Sequence, residues 1–439
     1  MKLKLMLTAL LILVAGILFA AGELSEYVNA DDGVYSAKLS KIQLSSDQSV
    51  SITSIDFSSQ IWQNHKFSHN MQIFYPSGAL VTDYAFMIIA EGKAGNDWTQ
   101  TLSYFAKMMS APVIVVFENP TEKIVDGNES LHNFSFSKIF TDNSYKDTPM
   151  AFADAKTIIK AMDAVSEITH AEFDKPIENF VLCGSNECAM AVYLAASLGD
   201  SRIAGIIPAG LDINAGKNLA HQIECYGSIA SGLNDLGYEA FKDYAKSPVV
   251  GEFINHTDPY NYIKNIKCPK LIMNGTNDSC SVIDSAKFYF DDFIGEKYFW
   301  LNVNGGHEFC FTENTMKYSN VNKFSDIILT ARAFFYHIAK KNVMENVKFV
   351  WNKSDNGYVL SIEGNNSEIK GVNTYSVDSE YSDFRNVMWS KHALTAKDGV
   401  YSYSEEKPEH GYRCVFAEVS FTAAVGGNYS VFSIPYILE

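Results

Sequence analysis

The stretch "NFVLCGSNECAMAVYLAA" (Asn179–Ala196) packs a strand, a turn and the start of a helix into one short run. Phe180-Val181-Leu182-Cys183 is apolar without alternation, the pattern of a strand buried on both faces. Gly184-Ser185-Asn186-Glu187-Cys188 is the turn, and an Ala-rich helical segment follows. The order matches a nucleophile elbow, G-x-S-x-G, where only small residues fit two places before and after the nucleophile. With Ser185 as nucleophile those places hold Cys183 and Glu187, and Glu is long and charged. With Cys188 they hold Asn186 and Met190, which fit poorly. With Asn186 they hold Gly184 and Cys188, followed by Ala189, and all are small. The steric pattern therefore places Asn186 at the tip. An amide is not deprotonated by histidine at ordinary pH and forms no acyl intermediate.

Working outward, strand-like runs alternate with helix-like segments from about Asn70 to Lys340. The strands read are Met71–Tyr75, Tyr84–Ala90, Val113–Phe117, Phe180–Cys183, Ile203–Ile207, Lys270–Met273 and Tyr298–Val303. Between them, Ala151–His170 places Ala155, Ile158, Met162, Val165 and Ile168 at helical spacing, and Met190–Leu198 and Asp326–Lys340 read likewise. Alternating β and α elements imply a doubly wound, mostly parallel sheet. After about Val343 the texture changes to alternating polar and apolar residues broken at Asn/Gly turns, the signature of antiparallel β. The expected organisation is a signal peptide over 1–21, an α/β-hydrolase-like domain over 22–342 and a small, sandwich-like β domain over 343–439. No Pro/Ser-rich linker separates the last two, so they are expected to pack together.

In a hydrolase of this fold the nucleophile, acid and histidine follow in chain order, each at the C-terminal end of a strand. "KLIMNGTNDSCSVIDS" carries a strand into a loop with Asp278, where the acid belongs, and "KYFWLNVNGGHEF" does the same for His307 as base. The loop "EGKAGNDW" (Glu91–Trp98) offers Gly92 or Lys93 as oxyanion donors, with Glu91 poorly placed beside a developing anion.

Several stretches together resemble the PhoPQ-activated pathogenicity-related family of α/β-hydrolase-like proteins, which also takes in an autocrine proliferation repressor of social amoebae. They are "SSQIWQNHKFSHNMQIFYP" (Ser58–Pro76) with a Ser-Gln-x-Trp motif ahead of a His, "PMAFADAKTIIKAMDAV", "DPYNYIKNIKCPKLIMNGTNDSC", "GEKYFWLNVNGGHEF" and "DFR" at Asp383–Arg385. The resemblance runs from roughly Tyr27 to the C-terminus. The family elbow resembles G-A-S-K-R-G-W, which sets Ser185 at its alanine, Asn186 at its serine and Ala189 at its final glycine. Its acid and base fall on Asp278 and His307. The resemblance implies an α/β-hydrolase fold with an inactive nucleophile position and an extracellular or growth-regulating role.

Bulk properties bound the partners. The 439 residues carry a net charge of −16, which disfavours nucleic acid and anionic membranes. "MKLKLMLTALLILVAGILFAAG" has the lysines, apolar run and small residues of a secretory signal peptide, leaving no membrane span after cleavage near Gly22–Glu23. N-x-S/T sequons at Asn128, Asn133, Asn255, Asn274, Asn277, Asn352, Asn365 and Asn428 suit a glycosylated secreted protein, with Asn274 and Asn277 expected to go unused beside the acid. Seven cysteines leave at least one unpaired, Cys183 reads as a buried core thiol, and Cys280 and Cys310, just past the acid and the base, are a candidate pair. No cofactor or metal motif is read. Two functions stay open. One is a catalytically inactive, secreted protein binding an extracellular protein, receptor or glycan. The other is a secreted serine esterase or peptidase using Ser185, Asp278 and His307. A variant of the first gives the binding role to the β domain.

Overall fold

A computed structural model describes residues 22–90, 96–117, 149–173, 176–229, 248–307, 321–354, 357–363, 368–397 and 401–439. The expected signal peptide, the oxyanion candidates Gly92 and Lys93, Cys310 and the sequons at Asn128, Asn133 and Asn365 lie outside these residues. The core is a nine-stranded sheet: β1 (Ser36–Leu44), β2 (Val50–Trp62), β3 (His65–Pro76), β4 (Tyr84–Ile89), β5 (Val113–Val116), β6 (Asn179–Ser185), β7 (Ile203–Ala209), β8 (Lys270–Gly275) and β9 (Lys297–Asn302). Their order is β1-β2-β3-β5-β4-β6-β7-β8-β9. From β5 to β9 every pairing is parallel, and β1, β2 and β3 add an antiparallel wing. This is the α/β-hydrolase fold.

The parallel strands are apolar runs because both faces are covered. Val113–Val116 is wholly buried, and so are all but the first residue of Tyr84–Ile89. Helices α1 (Asn96–Met109) and α5 (Val321–Lys340) cover one side, where Phe86 meets Phe105 and Phe335 at ring-centroid distances of 5.4 and 6.4 Å. Helices α2 (Met150–Glu172) and α3 (Glu187–Ser197) pack on each other and on the sheet. Ala155, Ile158, Met162 and Val165 are fully buried on α2, as their spacing predicts.

Strands β1 and β2 escaped the sequence reading, and their composition shows why. β1 alternates half-buried and exposed residues at the sheet edge, while β2 buries Thr53, Ser54, Ser58, Ser59 and Gln60. These polar residues interrupt its buried apolar ones (Val50, Ile52, Ile55, Phe57 and Trp62), so no clean alternation marks the strand. Ser59 and Gln60 are satisfied by α2, at Thr157 and Ala153, as buried polar atoms must be.

The C-terminal part is antiparallel β, as expected. Strands β10 (Lys348–Lys353), β11 (Gly357–Glu363) and β14 (Tyr401–Glu406) form one sheet. A second holds β13 (Lys391–Leu394), β12 (Ile369–Ser379), β15 (Tyr412–Thr422) and β16 (Asn428–Phe432), with β17 (Tyr436–Leu438) also on β15. Tyr436 joins the sheets by stacking on Trp351 at 5.5 Å and contacting Tyr358 at 4.8 Å. This part packs on the large sheet: Phe432 meets Trp300 of β9 edge-on at 6.2 Å, and the Tyr298 hydroxyl donates to Met344 O.

Candidate active site

The elbow forms where the sequence puts it. Ser185 is the last residue of β6 and stays in the ladder opposite Ala209, while Asn186 is the residue between strand and helix. Asn186 adopts φ 52° and ψ −122°, a conformation L-residues rarely take and the kind of strained backbone that gathers at functional turns. Its N–H donates to Ala209 O at 3.0 Å. Its Oδ1 is buried with no hydrogen-bond partner among the described residues. Gly184 explains the small-residue rule: a Cβ there would stand 2.6 Å from Cys188 O. Asn186 is thus the tip, and Ser185 is one position short of it.

The acid and the base are brought together. His307 Nδ1 lies 2.9 and 3.1 Å from the two carboxylate oxygens of Asp278. Asp278 is 2% exposed, and its Oδ1 also accepts from the Cys280 N–H at 2.7 Å. Two loops must nest for this contact, and backbone bonds lace them. Thr276 N–H donates to Asn302 O, Asn277 N–H to Gly305 O, and Asn304 N–H to Thr276 Oγ1 at 2.8 Å. Gly275 must be glycine, since a Cβ would stand 2.6 Å from Gly306 O. Burial would lower the His307 pKa, but hydrogen bonds and charge from Asp278 and Cys280 outweigh it and hold the imidazole well above the ordinary histidine range.

Beside the dyad lies a second buried carboxyl that the sequence reading missed. Asp212 follows β7, between the elbow and the acid loop, and accepts from the Tyr289 hydroxyl at 3.1 Å. Burial pushes its pKa up to about 6. An Asp just past a parallel strand was the only available signal.

Cys280 has its thiol turned into the Asp278–His307 cluster, and Cys310, its expected partner, lies outside the described residues. Cys183 is buried in β6 as read.

A model of the PhoPQ-activated pathogenicity-related protein family matches residues 24–385. The chain belongs to that family. The match ends at Arg385, so the expected resemblance through to the C-terminus is cut short by most of the second β-sheet. No curated protein matches. Among solved structures, acetyl xylan esterase 1 from Thermoanaerobacterium sp. JW/SL YS485 is 14% identical, with a TM-score of 0.48 over 73% of this chain and 93% of the other. Acetyl xylan esterase from Paenibacillus sp. R4 is 15% identical, TM-score 0.47, over 67% and 89%. Glucuronoyl esterase from Solibacter usitatus is 10% identical, TM-score 0.41, over 71% and 91%.

The stretches that carry the PhoPQ-related resemblance turn out to be braces. Ser59 of the Ser-Gln-x-Trp motif is the bulged residue between β2 and β3 and bonds His69 Nε2 at 2.9 Å and Thr157 at 3.2 Å. Gln60 donates to Ala153 O at 2.6 Å and accepts from Tyr27 at 2.8 Å. Asp258 of "DPYNY" accepts from the N–H groups of Asn214, Ala215 and Tyr260, capping α4 (Ala215–Tyr226) and the 3-10 turn Pro259–Asn265 together. Arg385 of "DFR" lies over the Tyr226 ring at 3.8 Å, and its carbonyl accepts from Asn277.

Proposed function

We propose that this PhoPQ-related protein is a secreted binding protein built on an inactive hydrolase elbow, acting outside the cell on a protein, receptor or glycan in a role such as proliferation repression. The observation that carries this reading is Asn186 at the strained tip, where the chemistry of acyl transfer needs a hydroxyl or thiol. The Asp278–His307 contact then serves as a fixed polar recognition element rather than a general base. Secretion rests on the N-terminal sequence, and among the described residues no helix is long and apolar enough to cross a membrane.

A fluorophosphonate probe and a growth assay test the reading together. Wild-type protein takes up no probe, and wild type and Ser185→Ala repress proliferation of the producing cells equally. The second reading, a serine hydrolase using Ser185, has in its favour the intact Asp278–His307 hydrogen bonds. It requires strong labelling of wild type that Ser185→Ala abolishes.

A further inference from the structure

We propose that Asp278, Cys280 and His307 form a binding site for a zinc-type divalent cation. A carboxylate oxygen, a thiol sulfur and an imidazole nitrogen, one from each residue, lie within 4.8 Å of one another. Donors about 2.0–2.3 Å from a tetrahedral ion stand roughly 3.3–3.8 Å apart, so closing on one ion asks side-chain shifts on the order of 1 Å. The donor types select the metal. Magnesium and calcium take oxygen ligands, whereas mixed sulfur, nitrogen and oxygen donors suit zinc.

The loop that supplies two of the donors is already held in shape, as a metal site requires. The Cys280 N–H bond to Asp278 Oδ1 curls Asp278-Ser279-Cys280 into a tight turn. Gln222 Nε2 donates to Cys280 O at 2.7 Å, and the Tyr226 hydroxyl to Ser281 O at 2.9 Å, so α4 grips the turn from outside. From the other side the Asn277 amide donates to Arg385 O and Val387 O. His307 remains about a quarter exposed, leaving a route by which an ion enters. Three protein donors leave a fourth position for water or a ligand atom, the open pattern of non-structural zinc sites. The site goes beyond the binding role proposed above and does not depend on which residue occupies the elbow tip.

The test uses the full-length secreted protein, stripped with a chelator and dialysed against Zn²⁺, with Co²⁺ as a spectroscopic substitute. Wild type should retain one equivalent of zinc and show a thiolate-to-cobalt charge-transfer band. Cys280→Ser should lose the band and bind zinc at least tenfold more weakly, as should His307→Gln. Cys225→Ser, which removes the thiol 3.7 Å from His221, should change neither. Sub-stoichiometric zinc on wild type overturns the proposal whatever the variants do, and so does a Cys280→Ser protein with unchanged affinity and spectrum. Binding lost in Cys225→Ser but kept in Cys280→Ser also overturns it. Fluorophosphonate labelling is read on separate samples, so failure of the metal site and failure of the inactive-elbow reading show independently.

Discussion

Replacing Asn186 with glycine should make the protein more stable. At φ 52° and ψ −122° the Asn186 Cβ is forced into a conformation outside the regions open to side-chain-bearing residues. Asparagine's usual tolerance of positive φ belongs to the left-handed helical region, near ψ +47°, and does not reach this ψ. Backbone strain of this kind costs about 1–3 kcal/mol. Glycine removes it, at an unfolded-state entropy cost of roughly 0.5–1 kcal/mol. The substitution also deletes a buried amide oxygen that lacks a partner among the described residues, so no hydrogen bond to that atom is lost there. The net gain is about 1–2 kcal/mol. For a chain of this size, with unfolding entropy of about 2.1 cal/mol/K per residue, that is a rise in Tm of roughly 1–2 °C. Urea titration of wild type and Asn186→Gly, followed by tryptophan fluorescence, reads it directly. A loss of 1 kcal/mol or more in Asn186→Gly would refute the reasoning, since it would mean that the side chain holds the turn rather than strains it.

Gly275→Ala should cost about 1–3 kcal/mol, because its Cβ meets two backbone carbonyls of the base loop, and calorimetry checks it. Asn277→Ala removes both side-chain bonds that tie the acid loop to residues 385 and 387, at about 1–3 kcal/mol; faster hydrogen exchange at 385–389 is the expected readout. His221 is buried and meets Asp284 at 2.6 Å, with Lys287, Glu224 and Cys225 also facing it. Burial lowers its pKa, but Asp284 and Cys225 overcome this and push it up to about 10. A raised folded-state pKa gives stability that is fully present below the unfolded value near 6.5 and lost as pH rises through about 10. His221→Gln should therefore cost about 2–4 kcal/mol at pH 6 and much less at pH 10, measured by urea midpoints. Glycan mapping should find Asn255, Asn352 and Asn428 occupied, since all three are exposed. Asn274, 5% exposed and beside Asp212 and Tyr289, and Asn277, whose amide is engaged, should stay bare.

The parallel strands and long helices were legible because burial on both faces leaves continuous apolar runs and a 3.6-residue period. The elbow tip was legible from volume alone, since Gly184 and Cys188 leave room only if Asn186 is the turn residue. Asp278 and His307 followed from their positions just past β8 and β9. β2 was hidden because buried Ser, Thr and Gln interrupt its apolar residues, and the bonds from Gln60 to α2 that satisfy one of them leave no local pattern. Asp212 was hidden because a carboxylate's burial depends on Tyr289 and Asn274, distant in sequence. The Asp278, Cys280 and His307 donors have no spacing that reads as a metal motif, and nesting of the two loops alone brings His307 to the other two.

The central claim, that no residue at the elbow can carry an acyl group, is tested most directly by intact-protein mass spectrometry after exposure to p-nitrophenyl acetate, with peptide mapping of any adduct. The account predicts that the strand-turn-helix peptide spanning Asn179–Ala196 keeps its unmodified mass and that p-nitrophenol appears without a burst. A stoichiometric acetyl adduct on Ser185, formed in a burst and absent from His307→Gln, would contradict it.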